Sequence, residues 1–388
     1  MSRTIDSGAL DALLDKAVAG GAVPHVAAIA ADRDGILYEG GAGPRVAGGT
    51  DTVTTRTPFR IMSMTKMVAT TAALQLHERG RLDLDAPVAE FRPEFADLQV
   101  LDGFDGDTPR LRAPRSRATV RHLLTHTSGL GYWFFDADLA RYEQLTGTPN
   151  VLGGAGAFAA PLLHDPGERF TYGIGTDWLG RVVEAVTGTG LDVVVKEEIT
   201  GPLGMDDTMF LLDEGRTADA VSVHVPAEGG GWASAGELLP QEPEWWAGGH
   251  GLYSTPRDYI RFERALLRGG ELDGVRILSE ATVDEAFTNQ IGDLDFPAAI
   301  PTADPPITGP FDAGPGWKWG YGLLLNTADA PGGRRAGSGA WAGLFNTHFW
   351  VDRTSGVCAS IYTNSLPFVT PEAFALYGEF EQALYAAL

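Results

Sequence analysis

The sequence predicts an α/β fold of the α+β kind: one antiparallel sheet built from both ends of the chain, flanked by terminal helices, with an inserted, mainly helical region. Three observations predict it. Strand patterns occur early, at 26–31 and 36–39, and again late, at 320–326, 346–352 and 357–364. Helical patterns fill the stretch between, and further helices open and close the chain at 7–19 and 371–387. A single sheet covered by helices is the simplest way to bury these elements together. The expected division is 1–75 and 250–388 as the sheet domain and 76–249 as the inserted domain, with the active site at their interface.

Element by element, the two early strands form a hairpin through the turn Asp32-Arg33-Asp34-Gly35. A long helix begins at Ser63, after the turn Thr57-Pro58-Phe59-Arg60, and ends near Arg79-Gly80. Leu82 to Pro87 leads into a new helical region. A short helix starts at Val120, and His126-Thr127-Ser128-Gly129-Leu130 is a tight loop. Helices follow at 177–187 and 256–268. Two loop-rich stretches, 227–251 and 290–316, have the glycine and proline content of binding-site walls.

Composition narrows the function. A chain of 388 residues with 44% hydrophobic and 21% charged content suits a globular enzyme of about two domains. No apolar run approaches the roughly 20 residues that span a bilayer. The start, Met1-Ser2-Arg3-Thr4-Ile5-Asp6, has no hydrophobic signal segment, so a cytoplasmic location is expected. Against 51 acidic residues stand 29 Lys and Arg, a net charge of −22, which argues against nucleic acid and anionic membrane as partners. The one cysteine, Cys358, lies in the apolar run Gly356 to Tyr362 and reads as a buried strand residue. No Cys/His cluster has zinc spacing. Neither a metal nor an organic cofactor is expected, and oligomeric state is not legible.

The chemistry centres on Ser63-Met64-Thr65-Lys66. Three residues apart on a helix, hydroxyl and amine share a face. Serine is a weak nucleophile at neutral pH and needs a base, which a desolvated lysine can supply. Alone the spacing is weak evidence, since a helix N-cap followed by a solvated lysine has the same letters. Context adds weight: residues 67–76 are apolar on nearly all faces, so a lysine at their head is costly unless paired or neutral.

Further segments turn this spacing into a resemblance. Ser-x-x-Lys opens the signature of serine β-lactamases and penicillin-binding proteins. His122-Leu123-Leu124-Thr125-His126-Thr127-Ser128-Gly129-Leu130-Gly131-Tyr132-Trp133 resembles the matching segment of family VIII carboxylesterases, esterases with the class C β-lactamase fold. Tyr172-Gly173-Ile174-Gly175-Thr176-Asp177 resembles their second motif, and Gly248-Gly249-His250-Gly251 their glycine-rich loop. Trp341-Ala342-Gly343-Leu344 resembles the strand motif they carry in place of Lys-Thr-Gly. Ordered matches run from about residue 8 to the C-terminus. The resemblance implies Ser63 as nucleophile, Lys66 and Tyr172 around it in a proton network with Tyr172 as general base and later the acid that protonates the leaving alcohol, and backbone N–H groups of Ser63 and Leu344 as the oxyanion hole. It implies a substrate pocket with Tyr132, Trp133, His250, Trp341, Ala342 and Gly343, and a small-molecule ester as substrate. Read as a packed aromatic, Tyr172 would have no catalytic part; its place in the motif favours catalysis.

Departures carry information. Ile174 stands where β-lactamases have the amide of Tyr-x-Asn, and Trp341 where they have lysine. Losing that cation and gaining an indole favours a neutral, partly apolar ester over an anionic lactam. The expected activity is therefore a serine carboxylesterase acting on short-chain or compact acyl esters through an acyl-enzyme. Its rivals are an acyltransferase on the same scaffold, a weak β-lactamase or peptidase, and a non-catalytic binding module. No serine has the Gly-x-Ser-x-Gly context of an α/β-hydrolase. His126 beside Ser128 reads as structural, because neighbours in a tight loop seldom face each other. His348 reads equally as pocket or core.

Overall fold

The early and late strands of the chain meet in the middle of one sheet. The computed structural model describes residues 5–236, 238, 239 and 243–388. Its strands β1 (Val26–Asp32), β2 (Ile36–Ala42), β3 (Trp317–Trp319), β4 (Leu324–Asn326), β5 (Gly339–Gly343), β6 (Thr347–Asp352) and β7 (Val357–Tyr362) lie in the order β3-β4-β5-β6-β7-β1-β2. Every pairing is antiparallel, and β1 runs against β7 from Ala27↔Tyr362 to Asp32↔Val357.

Strand periodicity sorts the side chains into two cores. Ala27, Ile29 and Ala31 of β1 join Cys358 and Tyr362 of β7 in the larger core. That side carries α2 (Thr65–Glu78), α3 (Gly175–Thr187) and α4 (Pro256–Leu267). Val26, Ala28 and Ala30, with Val357, Ala359 and Ile361, face the other way. There they meet Leu10 and Leu14 of α1 (Gly8–Ala19) and Leu376, Phe380 and Leu384 of α5 (Pro371–Ala387). The sheet is thus covered on both faces, which is why β1 is buried along its whole length.

Three elements differ from the sequence reading. The helix expected at Ser63 is preceded by a single 3₁₀ turn, Met62–Met64, and α2 proper starts at Thr65. The strand expected at 320–326 is only β4, because Gly322 sits at φ +76° in the turn joining β3 to β4. Residues 76–249 carry, besides helices, the small hairpins Val100–Asp105 with Thr108–Arg112 and His224–Pro226 with Trp232–Ser234. Part of the loop at 227–251 lies outside the described residues. Among those described, no helix is long and apolar enough to cross a membrane.

The sheet meets the Ser63 turn at the end of β5. Gly343 pairs with Thr347, whose hydroxyl donates to Ile61 O at 3.1 Å. A Cβ on Gly343 would stand 2.3 Å from Ile61 O and 3.0 Å from Met62 Cβ, so only glycine lets strand and turn approach this closely. Gly343→Ala is expected to destabilise the fold by about 1–3 kcal/mol and to displace Ser63. A lowered denaturation midpoint together with lost ester turnover is the expected outcome; a variant matching wild type in both would show the approach to be slack.

Candidate active site

Ser63 sits on a turn held from several directions. The preceding Met62 takes φ +47°, a left-handed conformation that costs a side-chain-bearing residue about 1–2 kcal/mol. Surrounding bonds hold it: Ile61 N donates to Leu252 O at 3.1 Å, and Tyr259 OH donates to Met64 O at 2.9 Å. Leu252 N donates to Thr65 Oγ1 at 3.1 Å. The strain aims a largely buried serine (8% exposed) into a cavity.

One helical turn on, Lys66 is fully enclosed. Its Nζ donates to Tyr132 OH at 2.8 Å, to Gly249 O at 2.8 Å and to Ser63 Oγ at 3.3 Å. Three oxygens thus meet three N–H bonds, and among the described residues no carboxylate touches the amine. Burial pulls its pKa down to about 8, against an opposing pull from the charge of Asp177. Asp177, on α3, is itself buried and accepts from Gly249 N at 2.9 Å, with His250 Nδ1 3.5 Å away. Burial alone would raise its carboxyl, but His250, Lys66 and the Gly249 N–H outweigh that and hold it below the usual range. Asp177 therefore anchors the N–H of Gly249, the residue whose carbonyl, in the next peptide unit, receives Lys66.

Tyr172 approaches Ser63 from the loop before α3. Its hydroxyl accepts from Trp341 Nε1 at 3.0 Å, and Tyr172 and Ser63 line the same cavity. Burial pushes the phenol up from its ordinary value, and its interactions with Ser63 and Trp341 only partly offset that. The resting site is therefore a neutral phenol beside the serine. The Tyr172 ring packs edge-on against His126 and Trp341, both at 4.8 Å, and at 5.3 Å from Tyr132. His126, read as structural, supports Tyr172: it is buried at φ +53° and touches Phe170 and Trp319 as well.

The cavity holds about 330 Å³. Ser63, Tyr132, Tyr172, His250, Trp341, Ala342 and Leu344 all line it. Phe134, Phe135 and Leu152 add apolar wall, and Ile300, Phe311 and Ala313 bring in the 290–316 loop. Two expected pocket residues lie elsewhere. Trp133 turns away and donates Nε1 to Asp304 Oδ2 at 3.1 Å, since successive residues of an irregular loop point in different directions. Gly343 is spent on the contact with Ile61 rather than on the cavity. Leu344, expected on the strand, falls in the turn just after β5.

Two features escaped the sequence reading. Tyr132, expected as a wall, bonds directly to the lysine amine. Asp177 drew no attention, although an acid in the first turn of a largely buried helix next to the Tyr172 motif was the available signal.

A hydroxyl, a buried amine and a phenol at the mouth of an apolar cavity, beside an antiparallel sheet, define the class of penicillin-binding-protein-like β-lactamase-fold enzymes. The chain belongs to the Beta-lactamase family, whose model matches residues 10–384. It is 33% identical over 352 residues to monacolin J acid methylbutanoyltransferase of Aspergillus terreus, covering 85% of this chain and 82% of that protein. It is 30% identical over 387 residues to esterase EstB of Burkholderia gladioli, covering 92% and 90%. Among solved structures, simvastatin synthase from Aspergillus terreus, in a mutant form, superposes with a TM-score of 0.84 at 31% identity, covering 97% and 96% of the two chains.

The lysine environment sets a pH dependence. Below about pH 8 the amine carries its proton and donates to Ser63; above it the free base can accept. kcat/KM for a neutral ester is expected to rise with pH through a single ionisation near 8 and then level off. A flat profile between pH 6 and 9 would remove Lys66 deprotonation from the rate.

Proposed function

We propose that the chain is a serine carboxylesterase of the family VIII type, hydrolysing short-chain or compact acyl esters. The observation that carries this is the Ser63 hydroxyl placed between the Lys66 amine and the Tyr172 phenol at an apolar cavity. In the reaction Ser63 Oγ bonds to the ester carbon while the carbonyl electron pair moves to oxygen. The serine proton passes into the Lys66–Tyr172 system. Because Tyr172 rests protonated, Lys66 as free amine is the initial acceptor, and Tyr172 hands its proton to the departing alkoxide and is replenished from Lys66. Backbone N–H groups of Ser63 and Leu344 receive the oxyanion in this reading. Collapse breaks the carbon–alkoxide bond and leaves an acyl-serine, and water repeats the sequence in reverse. The division into sheet domain and inserted region belongs to the same proposal: Ser63 and Trp341 come from one, Tyr132 and Tyr172 from the other.

Trp341 supports a neutral substrate. It stands in place of a cation and also donates to Tyr172, so it orients the phenol besides shaping the wall. An acyltransferase is the second reading. A smaller cavity of about 270 Å³ adjoins the first, sharing Val151 and His250 with it and bounded by Trp245 and Trp246, and could seat an acceptor alcohol. The similarity to a methylbutanoyltransferase favours the same reading. Partition of the acyl group between water and added alcohols separates the two.

Ser63→Ala is expected to abolish hydrolysis of p-nitrophenyl butyrate and the acyl-enzyme mass shift while preserving the circular dichroism spectrum. Retained turnover would take Ser63 out of the mechanism. Trp341→Phe keeps an aromatic wall but removes the N–H, and is expected to lower kcat roughly tenfold with little change in KM. A change confined to KM would make Trp341 a wall only.

A further inference from the structure

The main cavity ends in a polar cluster that the ester chemistry leaves unused. Beyond Ala340 and Ala342 it reaches His348 of β6, Tyr377 of α5 and Arg334. All three belong to the far face of the sheet, away from Lys66. His348 is 4% exposed, and its ring lies stacked between Tyr377 at 4.5 Å and Phe368 at 6.0 Å. The imidazole makes no hydrogen bond among the described residues, and Nε2 is buried without a partner. Burial, and then the charge of Arg334, keeps this ring neutral by drawing its pKa down to about 3.

Arg334, 5% exposed, is neutralised by Glu381: Nε donates to Oε1 at 2.9 Å and Nη2 to Oε2 at 2.5 Å. Nη2 also donates to Tyr377 OH. Its remaining nitrogen, Nη1, has no partner among the described residues. A buried polar group left unsatisfied costs about 1–3 kcal/mol, and phenylalanine would serve the same stack on β6 without that cost. An unpartnered imidazole and an unpartnered N–H lining one mainly apolar cavity have the character of a specificity site.

We propose that the acyl half of the substrate carries a hydroxyl group that seats between His348 and Arg334. This rests on the ester reading of Ser63. A hydroxyl accepts from Arg334 Nη1 and exchanges a hydrogen bond with Nδ1, the ring nitrogen of His348 that is not closed off from the cavity. A carboxylate only accepts, and it would face Glu381, which already balances the arginine. The acyl half is assigned because His348 and Arg334 lie on the opposite face of the sheet from Tyr172, the group that protonates the leaving alcohol. The alcohol half must lie near Tyr172, which protonates it, and must leave after the first step.

The test uses p-nitrophenyl esters of straight acyl chains of increasing length, each with and without one hydroxyl at successive carbons. At one position the hydroxyl is expected to raise kcat/KM about tenfold or more over the matched alkyl ester. His348→Phe keeps the stack and loses the nitrogens; it is expected to bring that ratio down toward one. Should that variant fail to fold, His348→Gln, which retains a polar group, is expected to keep part of the ratio. Wild-type enzyme that turns over the alkyl series but prefers no hydroxylated ester would overturn this inference and leave the esterase reading standing. A preference appearing only with hydroxylated alcohol halves, or persisting unchanged in His348→Phe, would also overturn it. Absence of turnover across both series would instead strike at the esterase reading itself.

Discussion

Everything in the site depends on an amine kept out of water. Among the described residues Lys66 has no carboxylate in contact, so its burial is offset mainly by hydrogen bonds, with the charge of Asp177 and the ring faces of Tyr132 and Tyr172 behind them, and three oxygens from three separate segments supply those bonds. That arrangement cannot form unless Gly249 is held in place, which Asp177 does through its N–H. It cannot form unless Tyr132 arrives from the loop after the Val120–Leu124 helix. Desolvation then converts a strong base of ordinary lysine strength into one half-titrated near neutrality. Packing and proton affinity are here one fact seen from two sides.

Trp341 shows how a change of side chain redistributes roles. In place of a cation on the edge of the cavity, the sheet presents an indole that donates to the phenol and packs on it edge-to-face. The charge that would draw an anion is gone, and the tyrosine gains a fixed orientation. His126 and Tyr132 complete an aromatic cradle around the same ring, and Trp319 packs behind it against His126 and Trp341. The phenol is therefore positioned by packing rather than by a second ionic group.

Much of this was legible in the sequence where the governing geometry is local. Ser63 and Lys66 share a helix face by spacing alone. The last helix is readable at its start, because Thr370 caps it and Pro371 occupies its first turn. The central strands β1 and β7 are apolar and long enough to announce themselves. What was not legible depends on distant segments meeting. The bond from Lys66 to Tyr132 spans 66 residues of sequence. The placing of Trp133 against Asp304 and the junction of Arg334 with α5 are of the same kind. Strand β3 was missed because Gly316 and Gly320 leave only three residues between them to carry a pattern.

The pairing of β1 with β7 has a consequence for biosynthesis. Val26 to Asp32 leave the ribosome early, yet their hydrogen-bonding edge is completed only when Val357 to Tyr362 have been made. Until then β1 has β2 on one side and an open edge on the other, in a nascent polypeptide holding most of its apolar surface. Sheet closure is therefore a late event with high contact order, and the exposed edge is where a chaperone would find its purchase.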